Sequence, residues 1–190
     1  MSKERIRVLV EIALMAALAM LLDVIIPSFG HGLKITIKML PIVILALRRG
    51  LIPGLVGGFL WGLLQVVTGE AWILNALQVF LEYFLAFTLI GLAGLFMPLI
   101  QKELRQQNPS RGKLALEAGS ALVLGSLARY IMHFFAGIAF WSDNLPEGVN
   151  AAINSLVING SAFLSETLTS LVVLLLAIPF YRQLIRNDQI

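Results

Sequence analysis

The stretch LALEAGSALVLGSLARYIMHFFAGIAFW, residues 114–141, decides how the rest of the chain is interpreted. An α-helix rises about 1.5 Å per residue, so about 20 apolar residues cross the roughly 30 Å of hydrocarbon in a bilayer. This stretch is long enough, and ionisable residues are few within it. It therefore predicts a membrane-spanning helix from about Leu114 to Trp141.

The composition of the whole chain agrees with that stretch. Of its 190 residues, 58% are hydrophobic and 13% are charged, and the mean hydropathy is +0.88. Soluble domains have roughly 45–50% apolar and about 25% charged residues, and a chain this short has no interior large enough to bury the excess. We therefore expect an all-α integral membrane bundle, with residues 1–190 forming a single transmembrane domain.

The apolar pattern predicts six transmembrane helices. Their approximate bounds are Ile6–Ile26, Met39–Leu47, Pro53–Val67, Trp72–Ile100, Leu114–Trp141 and Ala151–Tyr181. The first could be mistaken for a signal peptide, but it is long for one and lacks a convincing cleavage site. The second is short for a span. The segment His31–Lys38 alternates apolar and polar residues, which indicates an extended loop.

Basic residues predict the orientation, because Lys and Arg are enriched in cytoplasmic loops. With both termini in the cytoplasm, Lys34 and Lys38 fall in outer loops and Arg129 lies within a helix, while every other Lys and Arg is cytoplasmic. This asymmetry also explains the net charge of +3 without a nucleic-acid partner. Trp72 and Trp141 then fall at the outer interface, which indole rings favour.

Ionisable groups within the hydrocarbon are costly and call for a partner or a function. The clearest are Glu82, Arg129, His133 and Glu166. Counting from the predicted outer helix ends at about 1.5 Å per residue, Glu82, His133 and Asn159 lie at similar depths of about 12–15 Å. Arg129 and Glu166 lie deeper. We expect the three shallower side chains to converge.

Helical spacing places these groups on polar faces. The faces comprise Asn75, Gln78 and Glu82; Arg129, His133 and Gly137; and Ser155, Asn159 and Glu166. A structural interpretation competes with a functional one: Arg129 could pair with Glu166 or Glu82, and the histidine or asparagine could form an interhelical hydrogen bond. A carboxylate beside an indole, an imidazole and an amide nevertheless suits a small aromatic cation.

Enzymatic interpretations find no support in the sequence. It has no serine-hydrolase, zinc-protease or Walker A motif, and two histidines are too few for a typical metal enzyme site. We expect no cofactor and no catalytic residue. Ala13-x-x-x-Ala17 in the first helix is a pair of small residues that permits close helix contact, either within the bundle or with a partner.

The sequence resembles the thiamine-specific substrate-binding subunits, or S components, of energy-coupling factor transporters over nearly its whole length. The similar segments, taken together, are specific in order and spacing. They are ALMAAL (13–18), Pro41 with ALRRG (46–50), WGLL (61–64), EYFLAF (82–87), GLAG (91–94), RYIMHFFAG (129–137), Phe140-Trp141 and Asn159-Gly160.

The resemblance implies a six-helix bundle in the bacterial cell membrane with an outward-facing thiamine site. Its ligand-binding positions correspond to Glu82, Tyr83, His133, Trp141 and Asn159. Gly137 neighbours them on the same helix face. Trp72 and Asn154 stand where some members of the family have tyrosine.

The resemblance also implies partners. Ala13 and Ala17 match the motif that docks onto a transmembrane coupling subunit, which works with two ATPase subunits. Two alternatives remain open: a stand-alone proton-coupled transporter, for which the buried Glu82, Arg129 and Glu166 argue, and a binder of a thiamine-related pyrimidine.

Overall fold

A computed structural model describes residues 2–25 and 36–187. These residues form seven helices and two short 3₁₀ turns joined by loops, with no β-strand among them. We label the helices α1 (Lys3–Ile25), α2 (Leu40–Arg49), α3 (Leu51–Val67), α4 (Ala76–Leu104), α5 (Arg111–Trp141), α6 (Ala151–Leu176) and α7 (Tyr181–Leu184). The predicted all-α class is therefore confirmed.

Four of these helices, α1, α4, α5 and α6, are long and apolar enough to cross a membrane. The helix α3 is apolar but has only 17 residues, and α2 has only 10. The side chains of α2 are almost all buried, because it is surrounded by α1, α3 and α4. The fold thus has four clear membrane helices and two shorter helices at the positions predicted for spans two and three.

Several predicted helix boundaries were wrong by three to five residues, and two of these differences have a clear local cause. The helix α4 begins at Ala76 instead of Trp72, because the side chain of Asn75 accepts a hydrogen bond from the Gln78 backbone N–H at 2.9 Å and caps the helix. The helix α6 ends at Leu176 instead of Tyr181. A short 3₁₀ turn, Ile178–Phe180, follows it and contains Pro179, which lacks the N–H that a continuing helix would need.

The helices α3 and α4 approach closely along a row of glycines in α3. Gly54 faces Gly91, Gly58 faces the Phe87 carbonyl, and Gly62 faces the Tyr83 carbonyl. The two rows run antiparallel with a spacing of four residues. A Cβ atom at Gly62 would collide with the carbonyl oxygen opposite. Only glycine therefore lets the two backbones touch here, as small residues do between membrane helices.

We expect Gly62→Ala to destabilise the bundle by about 1–3 kcal/mol, the usual cost of overpacking a filled core. Thermal unfolding of the purified protein in detergent, followed by circular dichroism, measures this. Gly160→Ala is the matched control, because the nearest atom to its added Cβ would be 4.0 Å away and the gain in helix propensity is the same. Equal stability of the two variants would contradict the close approach.

The first helix and the end of the described chain meet at one end of the bundle. Arg49, at the end of α2, binds Glu11 of α1 through Nε and Nη2, both at 2.6 Å. Its Nη1 lies 3.4 Å from Oδ1 of Asn187, and Arg48 donates to the Leu184 carbonyl at 3.0 Å. A bidentate arginine–carboxylate pair is among the stronger polar contacts, so this end is held together by basic side chains.

The helix α1 has an inner and an outer face. Ala16 and Ala19 are buried against the core, whereas Ala13 and Ala17 are exposed. Leu14 and Leu18 are exposed beside them. The Ala13-x-x-x-Ala17 pair thus takes no part in packing within the bundle, and the partner interpretation remains a prediction.

Candidate ligand-binding site

Glu82 lies in an irregular turn of α4. Residues Phe80–Leu85 form a π-helical turn, in which the Ala86 N–H donates to the Leu81 carbonyl five residues earlier. Such turns are rare in helices and often occur at functional sites. Regular α-helix was expected here, since the residues themselves carry no signal for the irregularity.

The Glu82 carboxylate is only 9% exposed and is bound by neutral donors. Oε1 accepts from the indole Nε1 of Trp141 at 3.2 Å, and Oε2 accepts from Nε2 of Gln78. The other two buried carboxylates of residues 2–25 and 36–187 each have a cation within 4 Å: Glu103 has Lys113 and Glu166 has Arg129. Within the same ranges, no cationic side chain lies that close to Glu82.

Trp141, which donates to this carboxylate, lies next to Trp72. Their ring centroids are 6.0 Å apart, and Trp72 is 67% exposed. The backbone N–H of Trp72 donates to the Tyr83 hydroxyl at 2.8 Å. The structure therefore brings together four predicted site residues, Glu82, Tyr83, Trp72 and Trp141, from α4, α5 and the segment before α4.

A second group lies between α5 and α6. Asn159 donates from Nδ2 to the His133 carbonyl at 3.3 Å and to Ser155 Oγ at 3.0 Å. Ser155 donates in turn to the Phe134 carbonyl at 2.8 Å. A Cβ on Gly137 would collide with Ser155 Oγ. Asn159 thus forms an interhelical hydrogen bond to the backbone of His133, and Gly137 leaves room for Ser155 beside it.

Phe87 lies between the two groups. Its ring centroid is 6.0 Å from that of Tyr83 and 6.3 Å from that of His133. Phe87 and Gln78 were not predicted as site residues, although Gln78 shares a helix face with Glu82. Asn154, in the first turn of α6, makes no side-chain hydrogen bond to either group in the described chain.

Beneath these groups lies a network of four buried or partly buried charges. Lys38 Nζ lies 2.6 Å from Asp23 Oδ1 and 3.7 Å from Glu166 Oε1. Arg129 Nη1 lies 3.2 Å from Glu166 Oε2, so the predicted pairing of these two residues is confirmed. Gln65 Nε2 donates to Asp23 Oδ2 at 2.5 Å. The network links α1, α3, α5 and α6 to Lys38, which lies just before α2.

The contacts of Lys38 were not predicted. The alternation of residues 31–38 indicated an extended outer loop, and the side chain of Lys38 is only 5% exposed because two carboxylates bind it. Residues 31–35 of that predicted loop lie outside the described residues. Asp23 was missed, although an acid near the end of an apolar span meets the same criterion that identified Glu82.

Aromatic rings surround the guanidinium of Arg129. Its Cζ lies 4.6 Å from the ring centroid of Phe87, 5.2 Å from Tyr130 and 5.3 Å from Trp61. Cation–π attraction in a desolvated setting contributes about 2 kcal/mol or more. The network is balanced, with Asp23 and Glu166 against Lys38 and Arg129. Both cations of the network are therefore already paired and do not neutralise the charge of Glu82.

A family of membrane proteins described as thiamine transporter protein has a model that matches residues 9–186. The chain belongs to this family. A thiamine transporter of Lacticaseibacillus paracasei is 38% identical over 170 residues, which cover 87% of this chain and 84% of that protein. One of Bacillus subtilis is 32% identical over 191 residues, covering 99% and 98%.

A solved structure agrees with this family membership. The structure of ThiT from Listeria monocytogenes superposes with a TM-score of 0.90 at 32% identity, over 97% of this chain and all of that one. The family resemblance inferred from the sequence is therefore confirmed. The chain is a multi-pass membrane protein of a transporter family, whose named relatives are transporters and not enzymes.

Proposed function

We propose that this protein captures extracellular thiamine at Glu82 and delivers it inward with the help of an ATP-driven coupling module. The observation that supports it most is the buried Glu82 carboxylate, which has only neutral hydrogen-bond donors among the described residues. A buried charge is costly without an opposite charge. Thiamine has a permanently cationic thiazolium ring and supplies that charge.

The aromatic residues fit the rest of the ligand. Trp141 and Trp72 offer indole faces on which a cationic or aromatic ring stacks favourably. Tyr83, His133 and Phe87 continue this aromatic lining toward α5. We assign Glu82, Tyr83, His133, Trp141 and Asn159 to the binding site, with Trp72, Asn154 and Gly137 at its edge.

We expect purified protein in detergent to bind thiamine with quenching of its tryptophan fluorescence, since Trp141 donates to Glu82 and Trp72 lies next to Trp141. A titration with thiamine, its phosphates and its pyrimidine precursor compares the candidate ligands. If the pyrimidine precursor binds more strongly than thiamine, the natural ligand is a thiamine-related pyrimidine instead. Absence of quenching and of heat in calorimetry with thiamine would exclude the proposal.

We further propose six membrane crossings with both termini cytoplasmic, in one domain. The basic side chains of Arg48 and Arg49 gather at the bundle end where α1 begins and the described chain finishes. Basic residues favour the cytoplasmic side. Glu82 lies near the beginning of α4, at the end of the bundle away from these arginines, which supports an outward-facing site. Cysteine accessibility labelling of intact cells at each loop tests this topology.

Coupling to a partner is proposed through the outer face of α1. Ala13 and Ala17 are exposed between apolar side chains, which suits contact with another transmembrane helix. The chain has no nucleotide-binding motif, so a transmembrane coupling subunit with two ATPase subunits would supply the energy for uptake.

We expect Ala17→Leu to leave thiamine binding by the isolated protein unchanged while reducing ATP-dependent uptake at least about tenfold, because a bulky side chain blocks close helix approach. Radiolabelled thiamine uptake in cells that express the partner subunits measures this. Ala115→Leu, on α5, introduces the same side chain on a helix that packs mainly on α4 and α6 and serves as control. Equal uptake by both variants would contradict the docking role.

The four-charge network keeps a stand-alone proton-coupled transporter as a second candidate. Its groups are buried, as in proton pathways through membranes. This candidate requires thiamine uptake into vesicles that contain this chain alone, with loss of uptake when the proton gradient is collapsed. Uptake that depends strictly on ATPase partners excludes it.

A further inference from the structure

We infer that Gln78 is a positioning residue that holds the Glu82 carboxylate in place for the ligand. This inference rests on the proposed function, because it assigns a role within the same site. Gln78 lies in the first turn of α4, and its side chain is completely buried. A buried glutamine must place one amide oxygen and two N–H donors against protein partners.

All of these groups have partners around the site. The amide oxygen accepts from the Leu74 backbone N–H at 3.1 Å. Nε2 donates to the Trp72 carbonyl at 3.0 Å and to Oε2 of Glu82. Because one partner is a backbone donor and another is a backbone carbonyl, the amide has only one satisfactory orientation. That orientation directs an N–H at the carboxylate.

The contacts close into a ring. Gln78 binds Glu82, Glu82 accepts from Trp141 at 3.2 Å, and the Trp141 and Trp72 rings are 6.0 Å apart. The Trp72 carbonyl returns to Gln78. Each oxygen of the carboxylate therefore has a donor, one from α4 and one from α5. A carboxylate fixed in this way loses less freedom when a ligand binds, which favours affinity.

A purely structural role of Gln78 predicts a different effect of its substitution. Gln78 could serve only to fasten residues 72–74 to the start of α4, in which case its loss would affect binding whether or not Glu82 carries a charge. A positioning role acts through Glu82. Its effect must therefore shrink when the carboxylate is already gone, since coupled residues do not contribute additively.

A double-mutant cycle with Gln78→Met and Glu82→Gln separates these roles, with thiamine affinity measured by fluorescence titration. Loss of a hydrogen bond to a buried charge weakens binding about ten- to a hundredfold, and we expect this for Gln78→Met alone. In the Glu82→Gln background the further loss should be below about threefold. Equal losses in both backgrounds would overturn the inference. Gln65→Met is the control, because this buried glutamine binds Asp23 instead.

A second measurement needs no ligand. The indole N–H of Trp141 reports on the carboxylate that accepts it, and its NMR signal is assigned by its absence in Trp141→Phe. We expect Gln78→Met to shift that signal and Gln65→Met to leave it in place. An unshifted signal would overturn the inference even where Glu82→Gln binds too weakly to titrate. Failure of the wild type to bind thiamine would instead refute the proposed function, and this signal would still decide the placement of Gln78.

Discussion

Replacing Glu82 with glutamine is expected to weaken thiamine binding by about 30-fold to several thousandfold. Removing one member of a buried charge pair costs about 2–5 kcal/mol or more, and each 1.4 kcal/mol or so is a factor of ten in affinity. The substitution keeps the size of the side chain, so the packing between Gln78 and Trp141 is largely retained. Calorimetric or fluorescence titration of the purified variant measures the loss.

Glu103→Gln is the matched control for this experiment. Glu103 is also buried, at 4% exposure, but it accepts from the Ser110 backbone N–H and pairs with Lys113 near the other end of α4. We expect its thiamine affinity to equal that of the wild type. Retention of full affinity in Glu82→Gln, or an equal loss in both variants, would show that the Glu82 charge does not bind the ligand.

Glu166→Leu is expected to destabilise the ligand-free protein by about 3–5 kcal/mol, the cost of leaving a buried charge without its partner. Lys38 retains Asp23 at 2.6 Å, whereas Arg129 loses the carboxylate 3.2 Å from its Nη1 and keeps the aromatic rings around its guanidinium. Thermal unfolding in detergent without thiamine measures the change in stability. It separates this effect from any effect on ligand affinity.

A second substitution tests the cause of that loss. Arg129→Met in the Glu166→Leu background removes the orphaned charge, and exchanging a whole buried ion pair for apolar residues is often neutral or stabilising. Methionine also packs well against aromatic rings. We therefore expect the double variant to be more stable than Glu166→Leu. A double variant that is less stable would mean that Arg129 is held mainly by groups other than Glu166.

The sequence predicted the fold class well because hydrophobicity determines membrane helices with little help from tertiary contacts. It also predicted the Arg129–Glu166 pair and the approach of Glu82 to Trp141. The Arg129–Glu166 pair follows from counting along helices, since each residue has a fixed rise and rotation. The approach of Glu82 to Trp141 was expected from their chemistry and from the family resemblance, because counting alone placed Trp141 at the outer interface and Glu82 about 15 Å below it.

The remaining features depend on contacts between distant segments. The π-helical turn around Glu82 lies where the glycine row of α3 meets the Tyr83 carbonyl. The residues of this turn, FLEYFL (80–85), do not predict it from their sequence. The burial of Lys38 was not predicted, because a short alternating pattern gives no information about contacts with Asp23 and Glu166. Helix ends were misplaced where a cap or a proline overrode the apolar pattern, as at Asn75 and Pro179.

The π-helical turn makes the site sensitive to insertions and deletions. Its hydrogen-bonded ring, from Ala86 to Leu81, holds one residue more than regular α-helical winding. Deleting one residue between Phe80 and Leu85 would let the helix close regularly while the flanking turns stay in phase. The bundle would survive, but the carboxylate would leave its place between two donors. A homologue with a one-residue deletion at this position is therefore expected to bind its ligand differently, even where the neighbouring residues are the same.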